Sequence, residues 1–290
     1  MVEAVGERTL SYREIVGLGE VNHVFVVETC QGEWVVRFHK DPLETENYEK
    51  EAWCLNQMHM AGVPVPEFVG RGCVQDVCFI VQSFIPGENG HERRSPELWR
   101  LLGQYCRAIN EFPIDESAPG SLFQRFGRDV VQNWRSHIAY NLKQLNSDDP
   151  LIGLGAYERG QQGLLRSRFS GLEERVDRFG LTHGDLVPRN VLITPQGTPV
   201  LVDWGSAFTG PCPFTDFNRI WSDVDTNEFA LSELQSFADG YQIQLESMLD
   251  TMQDLWLLGR IDVVRWAIDR RPDRVKELAE SAKLATDRWL

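Results

Sequence analysis

Residues 181–203 read LTHGDLVPRNVLITPQGTPVLVD, and no other stretch limits the fold of this chain so tightly. Two short apolar runs, NVLIT and TPVLVDW, flank Pro195-Gln196-Gly197, the punctuation of a β-hairpin. A hairpin brings its two outer ends together. Asp185 and Asn190 lie on the loop entering the first strand, and Asp203 leaves the end of the second. Two carboxylates and a carboxamide therefore converge at one edge. With no cysteine and no His-x-x-His among them, the donors are hard oxygens. Such a set suits Mg²⁺, which takes one or two carboxylates and fills its shell with water and phosphate oxygens.

The flanking sequence predicts a two-part α+β chain. HVFVVET (23–29) and EWVVRFH (33–39) are β-rich runs joined by Cys30-Gln31-Gly32. In the second run Trp34, Val36 and Phe38 share one face, while Val35 and Arg37 share the other. Residues 46–62 have helical periodicity through Tyr48, Ala52, Leu55 and Met58 or His59, and Gly62, Pro64 and Pro66 stop the helix. Glu51 falls one turn before Leu55, at the margin of the apolar face, where it can point inward. VCFIVQSF (77–84) is a further strand. The breaker-rich 85–90 that follows marks a hinge, so 1–85 form a small lobe, 86–95 a linker and 96–290 a mostly helical lobe carrying the hairpin.

Composition removes several function classes. Lys and Arg number 29 against 43 Asp and Glu, a net charge of −14, which disfavours nucleic acid and anionic membranes as partners. A cationic substrate is allowed by this charge but not required by it. No apolar run reaches the 18 or so residues of a membrane span, and MVEAVGERTLSYREI has no apolar signal core. The six cysteines, Cys30, Cys54, Cys73, Cys78, Cys106 and Cys212, form no CxxC pair, so reduced thiols and a cytoplasmic location are expected.

HGDLVPRN followed by LVDWG resembles the catalytic segment of the aminoglycoside phosphotransferase family, protein-kinase-like small-molecule kinases. Weaker matches follow in order: GLGEVNHVFVVE is similar to the family's nucleotide loop, VVRF to its third strand, VQSFIPGE to its hinge and GPCPFTDFNRI to the segment after its metal aspartate. The resemblance implies a two-lobed kinase-like fold with an antiparallel β N-lobe containing one helix. It implies Mg²⁺-dependent transfer of the γ-phosphoryl group of ATP, or GTP, to a hydroxyl of a small molecule. An aminoglycoside-like or amino-alcohol acceptor is the first expectation. Asp185 would be the catalytic base, and Asn190 and Asp203 would hold Mg²⁺. Arg37 stands where kinases carry a phosphate-binding lysine, with Glu51 as its partner. Gly17 and Gly19 would admit the phosphates to the backbone, Val35 would touch the adenine, and the main chain at Ser83 and Phe84 would bind the base.

Val187 replaces the catalytic-loop lysine of serine/threonine protein kinases, and the span from Asp203 to Asp216 is too short for an activation loop. Both features argue against a protein substrate. His183 is expected to anchor the loop, Asp216 to fasten its backbone, and Arg189 to point to solvent. Asn22 resembles a nucleotide-loop residue but equally suits a plain turn. Asp223, Asp225 and Glu228 read as a solvated helix start, though they could line a cationic pocket. Trp134, Trp221 and Trp256 read as core. A metabolic kinase of the homoserine, choline/ethanolamine or fructosamine type shares every motif. A catalytically inactive nucleotide-binding module and a metal-dependent phosphohydrolase are the other readings. The second leaves Arg37 and Glu51 without a role.

Overall fold

The computed structural model describes residues 1–6, 8–15, 23–39 and 44–290. Gly17, Gly19 and Asn22 lie outside the described residues. The small lobe holds β1 (Thr9–Glu14), β2 (His23–Thr29), β3 (Gly32–His39), α1 (Glu44–Met60), β4 (Phe68–Val74) and β5 (Val77–Ser83). Its strands form one antiparallel sheet in the order β1-β2-β3-β5-β4. The pleat of β3 sorts its side chains as the alternation requires. Trp34, Val36 and Phe38 pack with Val27, Phe79 and Val81, while Val35 and Arg37 face the opposite way into a cleft. Helix α1 buries Tyr48, Ala52, Leu55 and Met58, and with them Glu51, which is 1% exposed. Strands β1 and β4 escape the sequence pattern. Apart from its first residue, β1 is exposed throughout, and β4 carries two glycines and an arginine, so neither alternates clearly.

The antiparallel register sets Cys73 opposite Cys78, and the two form a disulfide. The expectation of six reduced thiols is therefore corrected: residues five apart in sequence become partners once the chain reverses between them. Cys30 is an exposed free thiol, and Cys54, Cys106 and Cys212 are buried free thiols.

The stretch 86–95, expected as a hinge or linker, carries a short strand of its own, β6 (Glu88–Asn89), which pairs with a strand of the catalytic hairpin. The larger lobe then runs through α2 (Pro96–Glu111), α3 (Val130–Gln144), α4 (Pro150–Gly153), α5 (Gln162–Ser170), α6 (Leu172–Arg175) and β7 (Phe179–Thr182). The hairpin follows as β8 (Val191–Ile193) and β9 (Pro199–Leu201), then β10 (Phe208–Pro211), α7 (Phe214–Asp225), α8 (Leu231–Tyr241), α9 (Leu249–Arg270) and α10 (Val275–Trp289). Ser95 caps α2 by accepting from Leu98 N at 3.1 Å, with Pro96 at the first helical position. Helices α2 and α8 approach at Gly103 and Gly240. A Cβ on either would lie 2.0 Å from Phe237 O or 1.9 Å from Arg100 O, so this crossing needs both glycines.

Two apolar clusters hold the lobe. One, around Trp99, Phe217, Phe237 and Trp204, continues into α1, and the other joins α3, α5, α9 and α10 around Trp134, Phe169 and Leu257. The first therefore ties the lobes together, and Leu201 N donates to Pro64 O at 2.8 Å across the same boundary. Trp134 and Trp221 are core, as expected, but Trp256 is only partly buried and lines a cavity. No helix among the described residues is long and apolar enough to cross a membrane.

Candidate active site

The hairpin closes as its sequence requires. Val191 pairs with Leu201 and Ile193 with Pro199, and Val202 N donates to Asn190 O at 3.0 Å, which joins the two outer ends. Asn190 Nδ2 donates to Asp185 O at 2.9 Å and to Asp185 Oδ2 at 2.8 Å. Asp203 sits in the left-handed region, φ 63°, and accepts from Arg37 Nη2 at 3.2 Å.

The loop before Asp185 is held from beneath. Asp216, fully buried near the start of α7, accepts from Gly184 N at 2.8 Å and His183 N at 3.3 Å. Burial pushes the Asp216 carboxyl up to about 6 although these N–H groups favour its charged form. Gly184 has φ +79°, and a Cβ there would lie 2.3 Å from Ser206 O. His183 is buried with its ring centroid 4.5 Å from that of Trp204. Neither ring nitrogen meets hydrogen-bond geometry with a described group, although the Val202 backbone acts on its charge. It anchors the loop by packing against Trp204 and through its main-chain N–H on Asp216.

On the opposite wall Arg37 Nη1 donates to Glu51 Oε1 at 2.5 Å. Burial opposes the charge on Arg37, but Glu51 and Asp203 outweigh it and hold the guanidinium charged. Burial pushes the Glu51 carboxyl up against the pull of Arg37. A cleft of about 450 Å³ is lined by Val35, Arg37, Ser83, Phe84, Asn190 and Asp203 among others. The main-chain donors at Ser83 and Phe84 are committed to Glu67 O at 2.9 Å and Glu33 O at 3.1 Å. The N–H of Ile85, which lines the same cleft, has no acceptor among the described residues.

Asp185 itself is clamped by two arginines. Arg219 Nε donates to Oδ1 at 2.7 Å, and Arg189 Nη2 reaches Oδ1 at 2.8 Å and Oδ2 at 3.1 Å. Burial raises the Asp185 carboxyl, but Arg219, Arg189 and Asn190 together bring it below the usual aspartate value. Arg189 thus bonds Asp185 while its side chain stays 42% exposed. Asp223 pairs with Arg219 at 2.6 Å and lies 3.8 Å from Arg189. Asp223 and Asp225 fall at the end of α7 and Glu228 beyond it, so the expected helix start is corrected to a helix end. The i,i+4 spacing of Arg219 and Asp223 was visible in the sequence. That Arg219 also reaches back 34 residues to Asp185 was not. Beyond Gly184 and Arg219 a second cavity, of about 490 Å³, opens between β10, α3, α7 and α9.

Residues 14–255 match the model of the phosphotransferase enzyme family, APH. The chain belongs to that family. An aminoglycoside 3'-phosphotransferase of Streptomyces fradiae is 29% identical over 149 residues, 50% of this chain and 52% of that protein, so the match spans about half the length of this curated relative. Among solved structures, the GDP complex of an aminoglycoside 2'-phosphotransferase-IIIa superposes with a TM-score of 0.68 at 17% identity, covering 98% of this chain and 94% of that one. The ternary complex of aminoglycoside phosphotransferase APH(4)-Ia with ADP and hygromycin B gives 0.63 at 15% identity, covering 99% and 96%. A spectinomycin phosphotransferase bound to ADP and its antibiotic gives 0.54 at 16%, covering 97% and 94%. At these identities the likeness is one of fold: the protein-kinase-like pair of lobes.

In this phosphotransferase-family chain, no group of three or more His, Cys, Asp or Glu side chains among the described residues is placed to hold a metal. The oxygen donors present nevertheless fit Mg²⁺. Asn190 spends its amide nitrogen on Asp185, its side-chain oxygen has no donor among the described residues, and Asp203 is 52% exposed and lines the cleft. One carboxylate and one amide oxygen suffice when phosphates and water complete the shell.

Proposed function

We propose that this protein transfers the γ-phosphoryl group of ATP, or of GTP, to a hydroxyl group of a small molecule. One observation carries the reading: Arg37, Asn190 and Asp203 line a single cleft, and Asp185 is bonded to Asn190 at its edge. Asn190 and Asp203 would hold Mg²⁺, which when bound would neutralise phosphate charge. Arg37, kept charged by Glu51 and Asp203, would contact phosphate oxygens with a forked donor suited to them. Val35 would lie against the purine, and the Ile85 N–H, which has no acceptor among the described residues, would be a main-chain donor for its edge.

Asp185 would accept a hydrogen bond from the acceptor hydroxyl. As the oxygen attacks, its bond to the γ-phosphorus forms, the bond from that phosphorus to the bridging oxygen breaks, and the nucleoside diphosphate leaves. The hydroxyl proton passes to Asp185. With its carboxyl already depressed by two arginines, Asp185 is a weak base. Its contribution is to orient the hydroxyl and take the proton late, and positioning of this kind contributes up to about 7–11 kcal/mol.

An aminoglycoside-like acceptor is the reading the relatives' names support. A metabolic acceptor is favoured by one observation on this chain: among the described residues no carboxylate lines the cavity next to Asp185. Release of ADP or GDP, followed over time with Mg²⁺ and a panel of hydroxylated compounds, tests the proposal. Acceptor-dependent release with a product heavier by one phosphoryl group supports it. Tight nucleotide binding with no release under any acceptor would make the chain an inert binding module.

A further inference from the structure

The cavity beside Asp185 has an unusual charge pattern for a molecule carrying a net charge of −14. Among the described residues its ionisable lining consists of Arg125, His137, Arg219 and Arg260, without a carboxylate. Arg219 is committed to Asp185 and Asp223. Arg125 and Arg260 are different. Neither makes an ion pair within 4.0 Å or a hydrogen bond with a described residue, and both rest on aromatic faces. Arg125 Cζ lies 5.3 Å from the Phe126 ring centroid and 5.4 Å from that of Phe208, and Arg260 Cζ lies 4.0 Å from that of Trp256.

The nearest acids are occupied elsewhere. Asp225 pairs with Arg288. Asp262 accepts from Asn141 Nδ2 at 3.2 Å and stands 4.0 Å from His137. Burial lowers the Arg125 and Arg260 guanidiniums below the usual arginine value, and the fields of Asp262 and Asp225 do not make up the loss. Trp134, Phe126, Phe208, Phe214 and Trp256 supply a largely apolar wall of ring faces and edges. Distant exposed carboxylates are screened beyond about 8 Å at physiological salt, so the charges nearest the cavity act on it most strongly.

We propose, resting on the kinase reading above, that the acceptor is an anionic hydroxy compound with a carboxylate on a ring-sized apolar body. Arg125 and Arg260 hold the carboxylate while the hydroxyl faces Asp185. Two guanidiniums with no hydrogen-bond or ion-pair partner among the described residues keep their donors for a ligand and offer the forked geometry a carboxylate takes. A polycation entering the same space would meet both of them with no counter-charge to bind.

The test uses the full chain and three compounds matched in shape: 3-phenyllactate, its uncharged amide, and the cationic amino alcohol phenylalaninol. Each is titrated without nucleotide, with calorimetry as the readout. Binding of phenyllactate at least tenfold tighter than of either analogue, with that preference lost in Arg125→Gln and Arg260→Gln, is the expected result. Melting temperature and Mg·ATP affinity, measured on the same variants, separate a folding defect from a lost contact. Equal affinity for the three, preference for the cation, no binding of any, or a preference untouched by the substitutions overturns the proposal. So does phosphorylation of kanamycin at a higher kcat/KM than any hydroxy acid in a panel, an outcome that leaves the kinase reading intact. An intact anion preference with no nucleotide turnover overturns the kinase reading instead.

Discussion

The cleft between the lobes and the cavity inside the helical lobe are close in size, about 450 and 490 Å³, and flank the same loop, yet their charges are arranged on opposite plans. In the cleft, Arg37 has Glu51 and Asp203 as counter-charges before any ligand arrives. In the cavity, Arg125 and Arg260 are steadied by aromatic rings and have no ion-pair partner among the described residues. A paired cation is preorganised and can meet many nucleotides in the same pose. An unpaired one leaves its counter-charge to the ligand, which makes that wall selective. On the proposed reading, the cleft would be the general, nucleotide side and the cavity the discriminating, acceptor side.

The largest effect should come at the loop between the two. Asp185→Asn is expected to leave Mg-nucleotide affinity within a factor of two or so and cut turnover by about 10²–10⁴-fold. Asp203→Ala should lose both. Nucleotide titration alongside steady-state rates separates the two variants, and an equal binding loss in both would assign Asp185 to the cleft side instead.

The next effects concern two buried ion pairs that look alike. Arg265 bonds Asp149 through two contacts of 2.8 and 2.7 Å, and Asp149 also accepts from Tyr157 at 2.6 Å. Arg37→Ala and Arg265→Ala each strand a buried carboxylate and should cost about 3–5 kcal/mol in denaturant unfolding. Only Arg37→Ala should weaken nucleotide binding. If Arg265→Ala weakens it as much, the two walls are not independent.

Gly184→Ala comes third. Its φ of +79° and the 2.3 Å approach to Ser206 O should cost at least about 1 kcal/mol and lower kcat more than nucleotide affinity. The smallest effect is a slope. The Asp216 carboxyl is raised from 3.8 to about 6 in the folded chain, so between those values the folded state binds more protons than the unfolded one. Stability from this group therefore falls as pH rises through that window and is level above it. Asp185 acts in the other direction. Its depressed carboxyl contributes stability above the ordinary aspartate value that is lost as pH falls below it. In melting curves between pH 3.8 and about 6, Asp216→Asn should abolish the downward slope, while removal of Asp185 should show only at pH below 3.8.

Much of the cleft was legible because its residues repeat local rules. The run 23–29 is β2 residue for residue, the run 33–39 gains one residue at Gly32, and the helix expected at 46–62 is Glu44–Met60. Alternation along β3 sufficed to put Arg37 and Val35 on one face, and helical spacing sufficed to turn Glu51 inward. Where the pattern was weak, the reading failed. β4, with Gly70, Arg71 and Gly72, does not alternate, and with it went the opposition of Cys73 and Cys78. The main chain at Ser83 and Phe84 was expected to bind a base; both residues line the cleft, but their N–H groups are spent on Glu67 O and Glu33 O, and such partners are a tertiary fact.

What the sequence alone determined is the hairpin and its three oxygen-bearing side chains, because a turn of three residues between two short strands leaves their ends no other place to go. What only the tertiary structure decided is the surroundings of Asp185. Arg219 reaches it from α7, and Arg125 and Arg260 come to the adjoining cavity from segments 135 residues apart in the numbering. No local periodicity encodes such a meeting. It exists because two apolar clusters pack helices from distant parts of the chain against one another, and the charges left at their margins are brought together by that packing.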